Sequence, residues 1–300
     1  MMKNYIGVDL GGTNIRIARF DNQINLEEVI KIETAVENGI EQIIDKIVNA
    51  INQLKNEYTS GVGISVPGQV DVEKGIILVL TNINLRDYPI GEVVFNRTGL
   101  KVILNNDANV AGLGEAIKGT AADVKNSYYI TWSTGIGGAL IIDNKLVAGN
   151  NLYSGEIGNI IIWPNDEFKH SFMAKGAVEG LTSGTAIKRY ANDLGYKDAG
   201  ELIDAAKNND TKALEIIEFI TDNFARLIAT ITHVVEVDKF VLGGGVVLKS
   251  GEFLIPYVQE KLNNYLMPIM HDKIVIEVAQ LGDDAGITGS AFLAKNYFTK

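Results

Sequence analysis

The chain has 300 residues, 46% hydrophobic and 21% charged, with no cysteine and a formal net charge of −10. That length suits two domains better than a single core, and the missing cysteine excludes disulfides, thiolate chemistry and cysteine-ligated zinc. The negative balance argues against a broad nucleic-acid or anionic-membrane surface, leaving only a locally basic cleft for a polyphosphate.

Residues 5–9 and 14–20 of "YIGVDLGGTNIRIARFDN" alternate as strands, with Gly11-Gly12 supplying the hairpin turn. Asp9 interrupts the apolar run at once, so no signal peptide is expected. No uncharged stretch is long enough for a bilayer, and a cytoplasmic protein is the expectation. In "EQIIDKIVNAINQLK" (41–55), Ile43, Ile44, Ile47, Ile51 and Leu54 recur on one helical face. "GVGISVPG" (61–68) reads as a buried strand closed by a Pro-Gly turn. "LKVILNNDANVAGLGEAIKG" (100–119) is a strand running into a helix, with Asp107 at the junction. A carboxylate there suits two roles, a helix cap or a base for a hydroxyl, and the residues alone leave both open.

"YYITWSTGIGGALIIDN" (128–144) echoes the first hairpin, because Thr131 precedes Asp143 by the interval at which Asp9 precedes Asp21. The echo predicts a duplicated domain with a cleft between the copies. Helices are expected at 198–208, 211–236 and 253–266, with "KFVLGGGVVL" as a strand and glycine turn between the last two. A final helix near 284–297 is expected to cross back to the first domain. Three glycine turns in an acidic chain point to phosphate, since a backbone without Cβ can aim N–H groups at an anion. Neither the P-loop spacing nor G-x-G-x-x-G after a strand occurs.

Two glycine hairpins around a polyphosphate, with a third glycine turn beyond, resemble the actin/hexokinase/Hsp70 superfamily. "GVDLGGTN" looks like its first phosphate loop, "STGIGG" its second and "VLGGGVV" its adenosine-side turn. More narrowly, "NNDANVAGLGE", "STGIGGALI", "SGEIGN" and "VLGGG" resemble, in this order, the ROK family of sugar kinases and sugar-responsive repressors. The resemblance runs from residue 5 to about 293. It implies an α/β, two-domain actin-like ATPase (ribonuclease H-like) fold with an inter-domain cleft. The domains would be 1–118 plus 287–300, and 119–286.

The resemblance also implies the roles. Asp107 would take the proton of a sugar hydroxyl as its oxygen attacks the γ-phosphorus, and Asn106 would hold neighbouring hydroxyls. Asp9 would face Mg²⁺ through water; its plainer reading is a turn-stabilising carboxylate. Gly11, Gly12, Thr13 and Asn14 form the first loop, Thr134, Gly135 and Gly137 the second, and Gly243, Gly244 and Gly245 would lie against ATP. Glu156 in "SGEIGN" and Glu179 in "GAVEGLTSG" match the two glutamates with which relatives hold sugar hydroxyls. Gly68 and Gln69 fall where relatives contact the sugar from the first domain.

One departure stands out. Most of the family carries a histidine after Glu-Ile-Gly and then a cysteine cluster for structural zinc; here Asn159 and "IIIWPNDEFKHSFMAKGAVEG" stand instead. Asn159 can hydrogen-bond a sugar hydroxyl but cannot replace an imidazole on zinc, so no zinc site is expected. His170 with Asp166 and Glu167 lacks soft ligands, and apolar burial of Trp163, Phe168 and Phe172 is expected to hold the loop. His233 reads as a packed helix residue and His271 as a surface loop residue. The expected function is an ATP-dependent kinase acting on the 6-hydroxyl of a hexose or N-acylhexosamine. N-acetylmannosamine stands ahead of glucose and fructose, because certain N-acetylmannosamine kinases share the missing zinc motif. The alternatives are a glucokinase or fructokinase, or a non-catalytic sugar-binding regulator. A repressor would need a helix-turn-helix ahead of the first loop, which begins here at Asp9. No nucleic-acid or membrane partner is expected, and relatives suggest a homodimer.

Overall fold

A computed structural model describes residues 3–80, 84–149, 154–163 and 173–299. The alternating segments of the first half become β1 (Asn4–Leu10), β2 (Asn14–Phe20) and β3 (Leu26–Glu33), followed by α1 (Gly39–Leu54) and β4 (Thr59–Val66). A small sheet, β5 (Gln69–Asp71), β6 (Ile76–Leu80) and β7 (Leu85–Tyr88), precedes α2 (Ile90–Thr98), β8 (Val102–Asn106) and α3 (Asp107–Lys118). The second half opens with β9 (Ser127–Trp132), β10 (Ile136–Ile142) and β11 (Lys145–Leu146). It continues through α4 (Val178–Thr182), α5 (Gly184–Asp193), α6 (Ala199–Lys207), α7 (Thr211–Val234), β12 (Lys239–Gly243), α8 (Gly245–Leu262), β13 (Ile276–Val278) and α9 (Asp284–Phe298).

Among the described residues the strands build two five-stranded sheets, ordered β3-β2-β1-β4-β8 and β11-β10-β9-β12-β13. The order is the same in both, which is the duplication that the sequence echo predicts. In the first, β1 pairs antiparallel with β2 and parallel with β4, and β4 runs parallel to β8. In the second, β12 runs parallel to both β9 and β13. Such sheets place ligands at the carboxyl ends of their parallel strands.

Contacts divide the chain into two units, residues 1–125, 139–154 and 283–300 in one and 126–138 and 155–282 in the other. Relative to the expected 1–118 plus 287–300 and 119–286, the contact division also assigns residues 139–154 to the first unit. There Ile141 is buried with Leu113 and Ala116 of α3. In that unit Ile43, Ile44, Ile47, Ile51 and Leu54 are fully buried with Ile6, Val8, Ile15 and Ile17, as the helical spacing requires. Helix α9 lies directly on the sheet backbone: a Cβ on Gly7 would fall 2.0 Å from the Ile287 carbonyl oxygen, and one on Gly63 1.9 Å from that of Ser290. In the second unit the Trp132 and Phe224 rings stack at 4.0 Å in the core. No helix among the described residues is long and apolar enough to cross a membrane.

Two local expectations need correction. Helix α8 starts at Gly245, so Val246–Leu248 are helical rather than extended. Gly244, at φ 88, supplies the left-handed step that turns strand into helix. His233 is exposed in the last turn of α7 rather than packed.

Candidate active site

In the first unit the register sets Asp9 opposite Ser65 and Val66 opposite Asn106, so the residues singled out in the sequence gather at the carboxyl ends of three parallel strands. The first turn is closed by the Gly11 N–H donating to the Asn14 carbonyl at 3.1 Å. Thr34 steadies it, its hydroxyl donating to the Gly11 carbonyl at 2.7 Å and its N–H to that of Thr13 at 2.8 Å. Gly12 and Thr13 stay exposed at the tip. The Asp9 carboxylate lies against the first turn of α9, where a Cβ on Gly286 would meet its Cγ at 2.5 Å. Burial pushes the Asp9 carboxyl above its usual range; the Ser65 hydroxyl and the Arg16 guanidinium oppose that, and Asp283 adds to it. Arg16 is itself held by Asp284 at 2.5 Å.

At the β8–α3 junction the helix-cap position does not fall to Asp107. The cap is Asn106, whose Oδ1 accepts the Ala108 N–H at 3.0 Å. Its Nδ2 donates to the Gly68 carbonyl at 3.2 Å, tying the turn after β4 to the junction. Asp107 is the first helical residue, exposed, with Oδ1 accepting the adjacent Ala108 N–H at 2.8 Å. Buried Asn105 sets this geometry by accepting from the Asn106 N–H and from Asn109 Nδ2. Its place in "NND" was the available signal. Gly68 has no room for a Cβ, which would fall 2.2 Å from the Val79 carbonyl oxygen. Gln69 is exposed at the start of β5.

The second unit carries the remaining residues. Its first turn, Ser133–Gly135, is closed by the Ser133 N–H on the Gly135 carbonyl at 3.0 Å. It is fastened to the start of α5: the Gly184 N–H donates to the Ser133 carbonyl at 2.7 Å, and the Thr185 hydroxyl to that of Thr134 at 2.8 Å. Gly137 follows within β10. Glu179, on α4, accepts the Ile136 N–H through Oε2 at 2.8 Å. The fit depends on Gly135, where a Cβ would lie 2.6 Å from that oxygen. The "SGEIGN" segment joins the same strand, because the Gly138 N–H donates to the Gly155 carbonyl at 2.9 Å. It then forms a short 3₁₀ turn, Ile157–Asn159, with Asn159 exposed. Partial burial of its carboxyl raises the Glu156 pKa above the usual carboxylate range, and the charge of Glu179 raises it further. Glu156 and Glu179 are therefore electrostatic neighbours.

A cavity of about 690 Å³ in this unit is lined by Ser133 and Thr134, the start of α5, the start of α6 and Gly245 of α8. Lys188 and Lys249 also line it. Three helix N-termini around one cavity favour an anion or a polar ligand. Thr134 and Gly245 are legible in the sequence as glycine-turn residues, whereas no local pattern marks either lysine. His271 Nε2 lies 3.2 Å from the Leu266 carbonyl oxygen. His170, Asp166, Glu167, Phe168 and Phe172 lie outside the described residues. Among the described residues no three His, Cys, Asp or Glu side chains gather as a metal cluster.

Two like-ordered sheets with glycine turns at their parallel strand ends define the actin-like ATPase fold. A model of the ROK family matches residues 5–297, and the chain belongs to that family. The glucokinase of Thermotoga maritima is 32% identical over 97% of this chain and 96% of its own. An N-acetylmannosamine kinase of Haemophilus influenzae is 28% identical over 97% and 95%. Among solved structures, a ROK hexokinase from Thermus thermophilus superposes with TM-score 0.90 at 28% identity, covering 99% of both chains. A ROK glucokinase from Streptomyces griseus, in complex with glucose and AMPPNP, gives 0.77 at 27% identity over 99% and 100%. The chain is a carbohydrate kinase of the ROK family, homologous to glucokinases.

Proposed function

We propose that the chain transfers the γ-phosphoryl group of ATP to the 6-hydroxyl of glucose. The sugar differs from the N-acetylmannosamine expected from the missing zinc motif. The change rests on two glucokinases, at 31% and 32% identity, against 28% for the N-acetylmannosamine kinase.

The observation that carries the reading is the β8–α3 junction. Asn106 holds the cap position, and Asp107, the first helical residue, stays exposed at the strand end. Asp107 would take the proton from the attacking hydroxyl late along the reaction path, so an ordinary carboxylate suffices. Asn106 keeps one amide hydrogen and one lone pair for neighbouring hydroxyls after its two bonds to the backbone. Gly68 and Gln69 would complete the contacts from the first unit. Glu179 has Oε2 on Ile136 and offers Oε1; Glu156 and Asn159 would accept or donate beside it. A buried acceptor left unpaired disfavours a sugar lacking the matching hydroxyl.

Asp9 suits a hard cation, being a carboxylate flanked by a hydroxyl and by no sulfur donor. Mg²⁺ bound there would offset phosphate charge. Gly11, Gly12, Thr13 and Asn14, and on the other unit Thr134, Gly135 and Gly137, would present main-chain N–H groups to phosphate oxygens. The cavity of about 690 Å³ lined by Gly245 has the size and helix-terminal polarity of a nucleoside site, and Gly243 and Gly244 would lie against the same nucleotide. The same reading carries the division into 1–118 plus 287–300 and 119–286 as functional halves, and a homodimer, which light scattering would read.

A coupled ADP-release assay across glucose, mannose, fructose, N-acetylglucosamine and N-acetylmannosamine tests the proposal. Glucose should give the highest kcat/KM. A higher value for N-acetylmannosamine would overturn the sugar, and no ADP release with any of them would overturn the kinase reading.

A further inference from the structure

Glu179 stands on a helix of only five residues, too short to hold its place by its own hydrogen bonds. Its position comes from outside. Three side chains donate to three successive carbonyls at its end: Arg189 Nη2 to Gly180 at 3.0 Å, the Tyr190 hydroxyl to Leu181 at 3.2 Å, and Trp132 Nε1 to Thr182 at 2.7 Å. Just before the helix, Gly176–Val178 pairs with Ile160–Ile162, through the Ile162 N–H on Gly176 at 2.9 Å and the Val178 N–H on Ile160 at 2.9 Å. That pairing couples Glu179 to the turn bearing Glu156 and Asn159.

The outer end of the pair is Trp163, and it is not buried among apolar side chains as expected; 36% of it remains exposed. Its ring meets Phe219 of α7 edge-on at 6.0 Å, and the Arg226 guanidinium lies 5.0 Å from its centroid. Arg226 is shared with the Tyr265 ring at 4.7 Å, and Asp222 fixes the set by accepting from Arg226 and from the Tyr265 hydroxyl at 2.6 Å. On the other side Phe219 meets Tyr190 edge-on at 5.9 Å. A continuous ladder therefore runs Tyr190–Phe219–Trp163–Arg226–Tyr265, and its first rung is itself a donor to the Glu179 helix. Guanidinium over an aromatic face is directional as well as attractive, so the ladder fixes where the strand pair ends.

We propose that this aromatic–guanidinium ladder, with Trp163 and Arg226 as its central members, is a positioning device that sets Glu156 and Glu179 for sugar binding without touching the sugar. The inference rests on the reading of those glutamates as sugar acceptors. The ladder belongs to residues on α5, α7, the 160–163 segment and the turn after α8, none of which lies in the motifs that carry the family resemblance.

The test is a set of steady-state measurements on the full chain with glucose and ATP: wild type, Glu179→Gln, Trp163→Ala, Trp163→Phe and Arg226→Met. Trp163→Ala and Arg226→Met should each raise the sugar KM about tenfold while kcat and the KM for ATP stay within about twofold. Trp163→Phe, which keeps a ring under the guanidinium, should restore most of the loss. A sugar KM unchanged in Trp163→Ala, with Glu179→Gln raising it, would overturn the ladder and leave the glutamate reading standing. A sugar KM unchanged in Glu179→Gln would sink the glutamate reading itself. If Trp163→Ala, Trp163→Phe and Arg226→Met lose kcat, both KM values and melting temperature together, the ladder is general scaffolding and the proposal fails.

Discussion

Asp9 and Gly286, 277 positions apart in the chain, meet so closely that a Cβ on the glycine would lie 2.5 Å from the aspartate Cγ and 2.7 Å from each carboxylate oxygen. A contact of that kind lets helix α9 set the height of the carboxylate beneath the first glycine turn. Gly286→Ala must therefore push the carboxylate aside. Activity should fall on the order of 10²-fold, the scale of a misplacement near one ångström. Stability should change by no more than about 1 kcal/mol, because alanine is the better helix former. Kinetics and thermal melts on the same preparation check this; a variant of normal activity would show that Asp9 has no role that depends on its position.

Asn106 and Asp107 should separate stability from chemistry. Asp107→Asn should lower kcat by roughly 10²–10⁴-fold with the melting temperature nearly unchanged, since the helix cap is the preceding residue. Asn106→Ala should destabilise the fold by about 1 kcal/mol, the worth of a cap, and also release the Gly68 turn. Denaturant titrations beside initial rates distinguish the two, and equal stability losses would contradict the assignment of the cap.

Glu156 predicts a pH signature. Its pKa in the folded protein is above the ordinary 4.5 through burial first and the Glu179 charge second. Between the two values the folded state binds a proton that the unfolded state does not. The associated stability is therefore full below the ordinary pKa and is lost as pH rises through the raised one. Glu156→Gln should remove that loss, so its melting temperature should gain on wild type as pH climbs through the window. The sugar KM of wild type should rise as pH falls through the same window, because a protonated carboxyl is a poorer acceptor. Parallel melting curves at all pH values would contradict this reading.

Metal removal gives a further check. A chelator should leave the melting temperature unchanged, and elemental analysis should find no stoichiometric zinc. Activity should disappear and return on adding Mg²⁺ alone. A chelator-induced fall in melting temperature would mean that a structural metal is bound after all.

Much of this was readable in the chain because it is local. Gly11-Gly12 and Gly135 announce turns, and "NND" places its asparagines and its acid where a strand must hand over to a helix. The repeat of the Asp9–Asp21 interval at Thr131–Asp143 foretold two like sheets. What failed depended on one backbone step or on distant partners. Val246–Leu248 is apolar and β-branched enough to read as strand, yet the left-handed step at Gly244 commits it to helix α8. Residues 139–154 joined the first unit through Ile141 against Leu113, a contact that no period reveals. Trp163 was expected to be buried in apolar surroundings, but its partner is an arginine 63 positions away.

The matched strand order of the two sheets has a last implication. Where the first copy sets Asp9 at the end of its leading strand, the second sets Thr131, an uncharged hydroxyl paired in register with Gly243. A triphosphate is densely anionic, and a bare carboxylate is tolerable near it only where a cation intervenes. The two halves have thus kept one blueprint while parting company in electrical character. One tolerates an acid at that position, and its twin stays neutral there.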